Sequence, residues 1–259
     1  MIKFFRKIRQ NLLMENKTGK YFKYAIGEII LVVIGILIAV QINTSIKNSE
    51  IKKNNTIYLT KIIEELHLNK KRLEYLAFEG DSIASNKSLE NVVKNCDSVL
   101  KLSSRGFKKS DADFLLNAPY YAGGSQLNLY DATYEELLNT GKLYSLGSTE
   151  VILAIKNYYK LYEREIEYNS RWTDFALEGL NNLETNFRKL ELDFKYDSTN
   201  FNWTDYPWYF DSRSEKYTQM QMGFGRLGGG QSHDLRKCKE LIEASDKLIV
   251  ILEKELNEN

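Results

Sequence analysis

A long apolar segment near the N-terminus constrains this chain more than any other feature. The twelve residues from Ile29 to Val40 carry no polar side chain, and the apolar character extends from Tyr21 to Ile42, twenty-two residues in all. A helix of about 20 apolar residues is enough to cross the hydrocarbon core of a bilayer. The sequence therefore predicts one transmembrane helix at 21–43, which separates a cytoplasmic tail at 1–20 from an extracytoplasmic domain at 44–259.

The charges around this segment predict its orientation. Seven basic residues and one acidic residue, Glu15, precede Tyr24, which gives a net charge of +6, whereas the remainder of the chain has 29 basic and 34 acidic residues. Basic tails stay on the cytoplasmic side, and no small-residue cleavage site follows the segment, so we expect an uncleaved anchor. The residues that would set the topology and contact the lipid surface are Lys3, Arg6, Lys7, Arg9, Lys17, Lys20 and Lys23.

The tail itself has a helical pattern. Ile2, Phe4, Phe5, Ile8, Leu12 and Leu13 recur at helical spacing between the basic residues, which predicts a basic amphipathic helix on a lipid surface. Orientation of the anchor and recognition of an anionic lipid or a cytoplasmic partner are both open as its role.

Small residues and one carboxylate mark a face of the predicted span. Gly27, Gly35 and Ala39 follow one another at multiples of four, and Glu28 lies beside them. Small residues at this spacing let two membrane helices approach closely, so we expect a helix-packing face. Glu28 is either an interface carboxylate within that packing or an ion-coupling group, because charged side chains at membrane depth are costly.

The rest of the chain predicts an all-α fold. Only Pro119 and Pro207 interrupt it, and apolar residues recur at threes and fours, the helical spacing. The predicted helices cover the outward continuation of the span to about Phe78, residues 82–102, a short piece at 111–116, about forty residues from Ser148 and a last helix from Asp234. Long helices of this kind are typical of antiparallel bundles and coiled coils.

Two local patterns predict how this region is connected. Thr133 and Glu136 form a candidate capping box at the start of a short helix, and Gly141 stands where a left-handed C-cap would end it. The glycine-rich segment from Gly223 to Asp234 is predicted to be a flexible link, in which Ser232 or Asp234 caps the last helix.

The span GEIILVVIGILIAVQIN, the basic tail before it, and the later segments TYEELLNTGKL and AIKNYY resemble an uncharacterised family of short bacterial single-span proteins, classed as a domain of unknown function. Residues that match its two motifs are Gly27, Glu28, Gly35 and Gln41, and Thr133, Glu136, Leu137, Gly141 and Leu143. The resemblance implies a bacterial inner-membrane protein with a periplasmic C-terminal domain. It implies no activity and no catalytic residues.

The residues that carry most enzyme chemistry are scarce. His67 and His233 are the only histidines, and neither begins a metal-ligand spacing. No GxSxG, HExxH or Walker A segment occurs. We therefore expect no enzyme activity, no cofactor or metal site, and no nucleic-acid partner.

Two sets of residues leave alternatives open. Cys96 and Cys238 either form a disulfide in an oxidising compartment or serve as two separately buried thiols. The dense aromatic group of Phe201, Trp203, Tyr206, Trp208, Tyr209 and Phe210 either forms an interaction surface or closes one end of the bundle.

These observations predict a membrane-anchored accessory or scaffold protein. Its partners would be membrane lipids and either an envelope protein or a second copy of the chain. The alternatives are a periplasmic sensory module that acts through a separate transducer, because a tail of about twenty residues cannot house a signalling domain, and an ion-coupling subunit that uses Glu28.

Overall fold

The computed structural model describes residues 18–80, 87–123, 127–197 and 199–258. The chain divides into two compact units, Met1–Ile57 and Tyr58–Asn259. All regular secondary structure in the described residues is helical, which confirms the all-α prediction. The predicted amphipathic helix of the tail falls almost entirely outside these residues, as do Lys3, Arg6, Lys7, Arg9 and Lys17.

The described residues of the first unit form a single helix. Helix α1 (Thr18–Glu74) contains a segment long and apolar enough to cross a membrane, and none of that segment is buried within the chain. Side chains such as Ile29 and Leu37 are 63% and 62% exposed. The helix continues outward past the apolar segment without a break.

The second unit contains the end of α1, a π-helical turn (Tyr75–Glu79) and six further α-helices. These are α2 (Leu89–Ser104), α3 (Ala112–Asn117), α4 (Ala132–Asn139), α5 (Thr149–Glu184), α6 (Phe187–Tyr196) and α7 (Glu215–Glu258). Short 3-10 helices occur at Lys109–Asp111, Lys142–Ser145, Trp203–Asp205 and Pro207–Tyr209.

Helices α5 and α7 form the antiparallel backbone of this bundle. Contacts join Ser148 to Glu255 near one end and Gly179 to Gly223 near the other. Helix α5 begins where the sequence predicts, because the Ser148 hydroxyl accepts a hydrogen bond from the Val151 amide, as an N-cap does. It is 36 residues long, and α6 follows it after a two-residue break.

Two apolar cores lie along the α5 and α7 pair. The first contains the end of α1, α4, the first half of α5 and the second half of α7, with Leu59, Ile62, Leu66 and Leu73 of α1 fully buried. The second contains α2, α3, α6, the aromatic segment and the opposite halves of α5 and α7. The end of α1 is thus a core element of the second unit.

Several sequence predictions are corrected by this architecture. Residues 223–234 are helical and belong to α7, which begins at Glu215, so the predicted flexible link and the predicted helix start at Asp234 are wrong. Helix α2 begins at Leu89, with Ser88 as its N-cap, rather than near residue 82. Gly141 does adopt the predicted left-handed conformation, with φ of 71°.

The predicted capping box of α4 is also wrong. Asp131 occupies the N-cap position without a side-chain bond, and Thr133 and Glu136 instead bind α1. The Thr133 hydroxyl donates to Glu65 at 2.7 Å, and Tyr58 donates to Glu136 at 2.5 Å. These motif residues therefore connect α4 to α1 by hydrogen bonds. Leu137 of α4 is completely buried.

Candidate functional site

The predicted membrane-helix packing face lies on the first unit. A Cβ built at Gly27 or at Gly35 meets no atom within 4 Å, and Gly35 and Ala39 are exposed. Glu28 is half-buried on the same helix. Of the basic residues flanking the span, Lys23 is exposed, and Lys20 lies in the helix. Nothing within the chain covers the small-residue face in the described part.

The aromatic segment is mostly core rather than surface. Tyr206, Trp208 and Tyr209 are buried, Trp203 is half-buried, and Phe210 is 41% exposed. Tyr209 stacks on Phe107 with ring centroids 5.1 Å apart. The prediction of an interaction surface is therefore wrong for the three buried rings, and their burial supports the alternative that they close the second core.

The two cysteines are free and buried. A Cβ built at Gly228 of α7 lies 2.8 Å from the Cys96 Cβ, whereas Cys238 is ten residues further along α7, about 15 Å along the helix axis. That separation excludes the disulfide. Burial raises the pKa of each thiol to about 12, so both stay protonated and act as small core residues.

Glycines bring α5 and α7 into backbone contact. A Cβ built at Gly179 would lie 2.6 Å from the Leu227 nitrogen and 2.7 Å from the Gly223 oxygen. A Cβ at Gly230 would lie 2.7 Å from the Trp172 oxygen. The segment predicted to be a flexible link is therefore in backbone contact with α5.

A non-helical segment that we call the strap, residues 119–123 and 127–130, runs between the helices. Buried amide side chains from different helices satisfy its backbone. Gln231 donates to the Tyr120 oxygen and accepts from the Ala122 amide, both at 2.8 Å. Asn69 makes the same double contact with Tyr130, at 2.8 and 2.6 Å. Asn95 of α2 donates to the Pro119 oxygen at 2.9 Å.

Asn169 joins the strap to the interior of the bundle. Its Oδ1 accepts from the Leu127 amide at 3.4 Å, and its Nδ2 donates to Asp234 Oδ1 at 2.7 Å. Since amides grip the strap from α1, α2, α5 and α7, this short segment couples four helices. Sequence analysis missed these residues, because each partner pair is far apart along the chain.

A buried ion cluster lies next to the strap. Glu165 is 1% exposed and is held by the Lys237 ammonium at 3.0 Å and the Arg164 guanidinium at 2.6 Å. Burial alone would raise the pKa of Glu165, but the hydrogen bonds from Arg164 and Lys237 outweigh it and lower this pKa below its ordinary value. This carboxylate is fully compensated and ties α5 to α7.

Asp234, on α7, has a different environment from Glu165. Burial raises the pKa of its carboxyl to about 6, and the Asn169 hydrogen bond only partly offsets this. Within the described residues, the only basic side chain within 4 Å of its carboxylate is His233, 3.8 Å away. Burial lowers the pKa of His233, so this ring, stacked on Trp172 at 4.7 Å, is neutral near pH 7.

A cavity of about 80 Å³ opens beside Asp234. Its walls come from the π-helical turn, the start of α2, the strap and α7, and they include Leu76, Lys87, Leu89, Leu127, Asp234 and Cys238. We call this space the Asp234 cavity. Among the described residues, no group of three His, Cys, Asp or Glu side chains is placed to hold a metal ion. His233, predicted to lie in a loop, lies in α7, and His67 is exposed on α1.

An exposed stripe on the outer face of the second unit is the remaining candidate. Leu68 and Arg72 lie on one side of the end of α1, and Tyr75 follows them at helical spacing in the π-helical turn. Tyr130 of the strap is held beside them by its hydrogen bond to Asn69. Leu68 and Tyr130 are 52% and 57% exposed. Arg72 and the strap border a groove of about 310 Å³. We call these four residues the outer stripe.

Comparisons of this chain with profiles of known protein families, with curated proteins and with solved structures find no match.

Proposed function

We propose that this chain is a single-span protein of the bacterial inner membrane, with a cytoplasmic N-terminus and a periplasmic helical domain that binds another envelope protein as an accessory or scaffold component. The apolar segment of α1 and the charge asymmetry around it support the anchor and its orientation. The protonated state of both buried thiols supports a binding role over thiol chemistry.

The outer stripe is the observation that carries the proposed partner binding. It combines two tyrosines, an arginine and a leucine, all of them exposed. Tyr and Arg are enriched among the residues that dominate the binding energy of protein interfaces. Its backbone is also fixed, because Asn69 holds Tyr130 by two hydrogen bonds, so a partner would meet a surface that loses little entropy on binding.

Site-specific photo-cross-linking in native cells tests this proposal. A photoreactive amino acid is placed at Leu68 or Tyr130, and at Tyr196 and Val250 as controls, which are 82% and 66% exposed on other helices. We expect one second protein to be captured from both stripe positions and from neither control. Equal capture at all four positions, capture of nothing, or capture of only a second copy of the chain would contradict the proposal.

The orientation is tested separately with a membrane-impermeant maleimide. Because Cys96 and Cys238 are buried, cysteines introduced at Glu253 and at Lys7 should give the signal. We expect labelling of the Glu253→Cys variant in cells whose outer membrane has been permeabilised, and labelling of Lys7→Cys only after the inner membrane is lysed. The reverse pattern would refute the proposed topology.

A further inference from the structure

We propose that the Asp234 cavity is a binding site for a small zwitterion of the amino-acid type, in which Asp234 binds the ammonium group and Lys87 binds the carboxylate. This inference goes beyond the proposed protein partner, because the two charged residues of the cavity, Asp234 and Lys87, are not part of the outer stripe, although Tyr75 borders both.

The Asp234 carboxylate lines the cavity and has only one hydrogen-bond partner in the described part of the chain. Asp234 Oδ1 accepts from Asn169, but Oδ2 has no hydrogen-bond or ion-pair partner among the described residues. Lining side chains such as Leu76, Leu89 and Leu127 are apolar and offer it nothing. The Asp234 side chain is only 13% exposed. A largely desolvated carboxylate without a cation is costly, and an ammonium group in the adjoining cavity would supply the missing charge and hydrogen bonds.

A basic residue also lines the cavity. Lys87 is among the lining residues and is exposed. A purely cationic ligand would be repelled there, whereas a ligand with an anionic group would gain an ion pair. The two lining charges, one of each sign, therefore match a molecule that carries both.

The volume of the cavity limits the size of the ligand. At about 80 Å³ the cavity exceeds the roughly 10 to 15 Å³ needed to hold one water and is smaller than the cavity of about 150 Å³ that binds benzene. The smallest amino acids fit this range, and their short side chains would contact Leu89 and Leu127. The neutral Cys238 thiol, held protonated by burial, adds no competing charge.

Thermal denaturation of the purified full-length protein in detergent, with isothermal titration calorimetry, tests the proposal. Glycine is the probe, methylamine supplies only the ammonium group, and acetate supplies only the carboxylate. We expect glycine to raise the melting temperature saturably, methylamine to bind at least tenfold more weakly, and acetate to have no effect.

Three variants make the test specific. Asp234→Asn and Lys87→Gln should each weaken glycine binding at least tenfold, and Lys87, being exposed, can be changed without disturbing the fold. Glu253→Gln, an exposed carboxylate on the same helix, should bind glycine normally.

The proposal is overturned if glycine produces no saturable shift, if acetate produces the same shift, or if Asp234→Asn binds glycine as well as wild type. Equal affinity for methylamine and glycine would also overturn it, because the site would then recognise no anionic group. The measurement uses purified protein without a partner, so its result is independent of the cross-linking at the outer stripe.

Discussion

The contact between α5 and α7 can be tested by adding a single methyl group at Gly179. The Cβ of alanine would lie 2.6 Å from the Leu227 nitrogen, 2.7 Å from the Gly223 oxygen and 3.1 Å from the Leu227 Cα. All three are backbone atoms, so no side-chain rotation can relieve the clash. The helices must separate, which loosens the packing on both sides of the contact.

The expected loss is the difference between two effects. Overpacking of a tight core costs about 1 to 3 kcal/mol and occasionally more, and the backbone clash at Gly179 places this site at the upper end. Replacing a helical glycine with alanine gains about 1 kcal/mol from helix propensity. We therefore expect Gly179→Ala to lose about 2 kcal/mol, which lowers the melting temperature of a domain of this size by about 4 to 8 °C.

Gly225 is the matched control on α7. A Cβ built there meets no atom within 4 Å, so Gly225→Ala should gain the propensity alone, about 1 kcal/mol. Thermal unfolding of both full-length variants, followed by circular dichroism, gives the comparison. If residues 223–234 were a flexible link, Gly179→Ala would change the free energy of unfolding very little. Equal stability of Gly179→Ala and Gly225→Ala would refute the close contact.

Three further outcomes are expected from the buried polar groups. Burial raises the folded-state pKa of Asp234 from 3.8 to about 6, so its contribution to stability is full below about pH 4 and is lost as the pH rises through 6. Asp234→Asn should therefore be the more stable protein above pH 6, by about 3 kcal/mol, and parallel denaturation curves from pH 4 to 8 would contradict this. Gln231→Ala removes both hydrogen bonds to the strap and should cost about 2 to 4 kcal/mol, with loss of hydrogen-exchange protection at the Ala122 amide; retained protection would show that the strap is held otherwise. Alkylation in denaturant without reductant should label both Cys96 and Cys238, and alkylation of the native protein should label neither. Cysteines that stay unlabelled in denaturant would reveal a disulfide.

The sequence predicts those parts of the fold that depend on local periodicity. The stripe of apolar residues from Ser148 predicts α5, and the Ser148 cap fixes its first turn. The left-handed conformation of Gly141 is predicted correctly, because the residue that ends a helix commonly adopts this conformation and glycine does so without strain. These features depend on neighbours three or four residues away, which a single sequence displays.

Long-range contacts decide the parts that the sequence misses. Glycine has a low helix propensity, so residues 223–234 resemble a flexible link when the sequence is read alone. Their role is seen only in the tertiary structure, where Gly223 and Leu227 contact Gly179 of α5. Thr133 is available to cap α4, yet it binds Glu65, 68 residues away. The Asp234 cavity likewise joins four distant segments, and no local pattern marks it.

The carboxylates of Asp234 and Glu165, whose side chains are 13% and 1% exposed, have contrasting surroundings in the bundle. Glu165 has two cations, Arg164 and Lys237, and its pKa falls; it is a stabilising cross-link between α5 and α7. Asp234 has one amide and a neutral histidine, and its pKa rises to about 6. Groups whose environments shift their pKa in this uncompensated way concentrate at functional sites. Glu165 has Arg164 and Lys237 within ion-pair distance, whereas Asp234 has no Lys or Arg within 4 Å in the described part of the chain, and this difference supports the ligand site proposed at the Asp234 cavity.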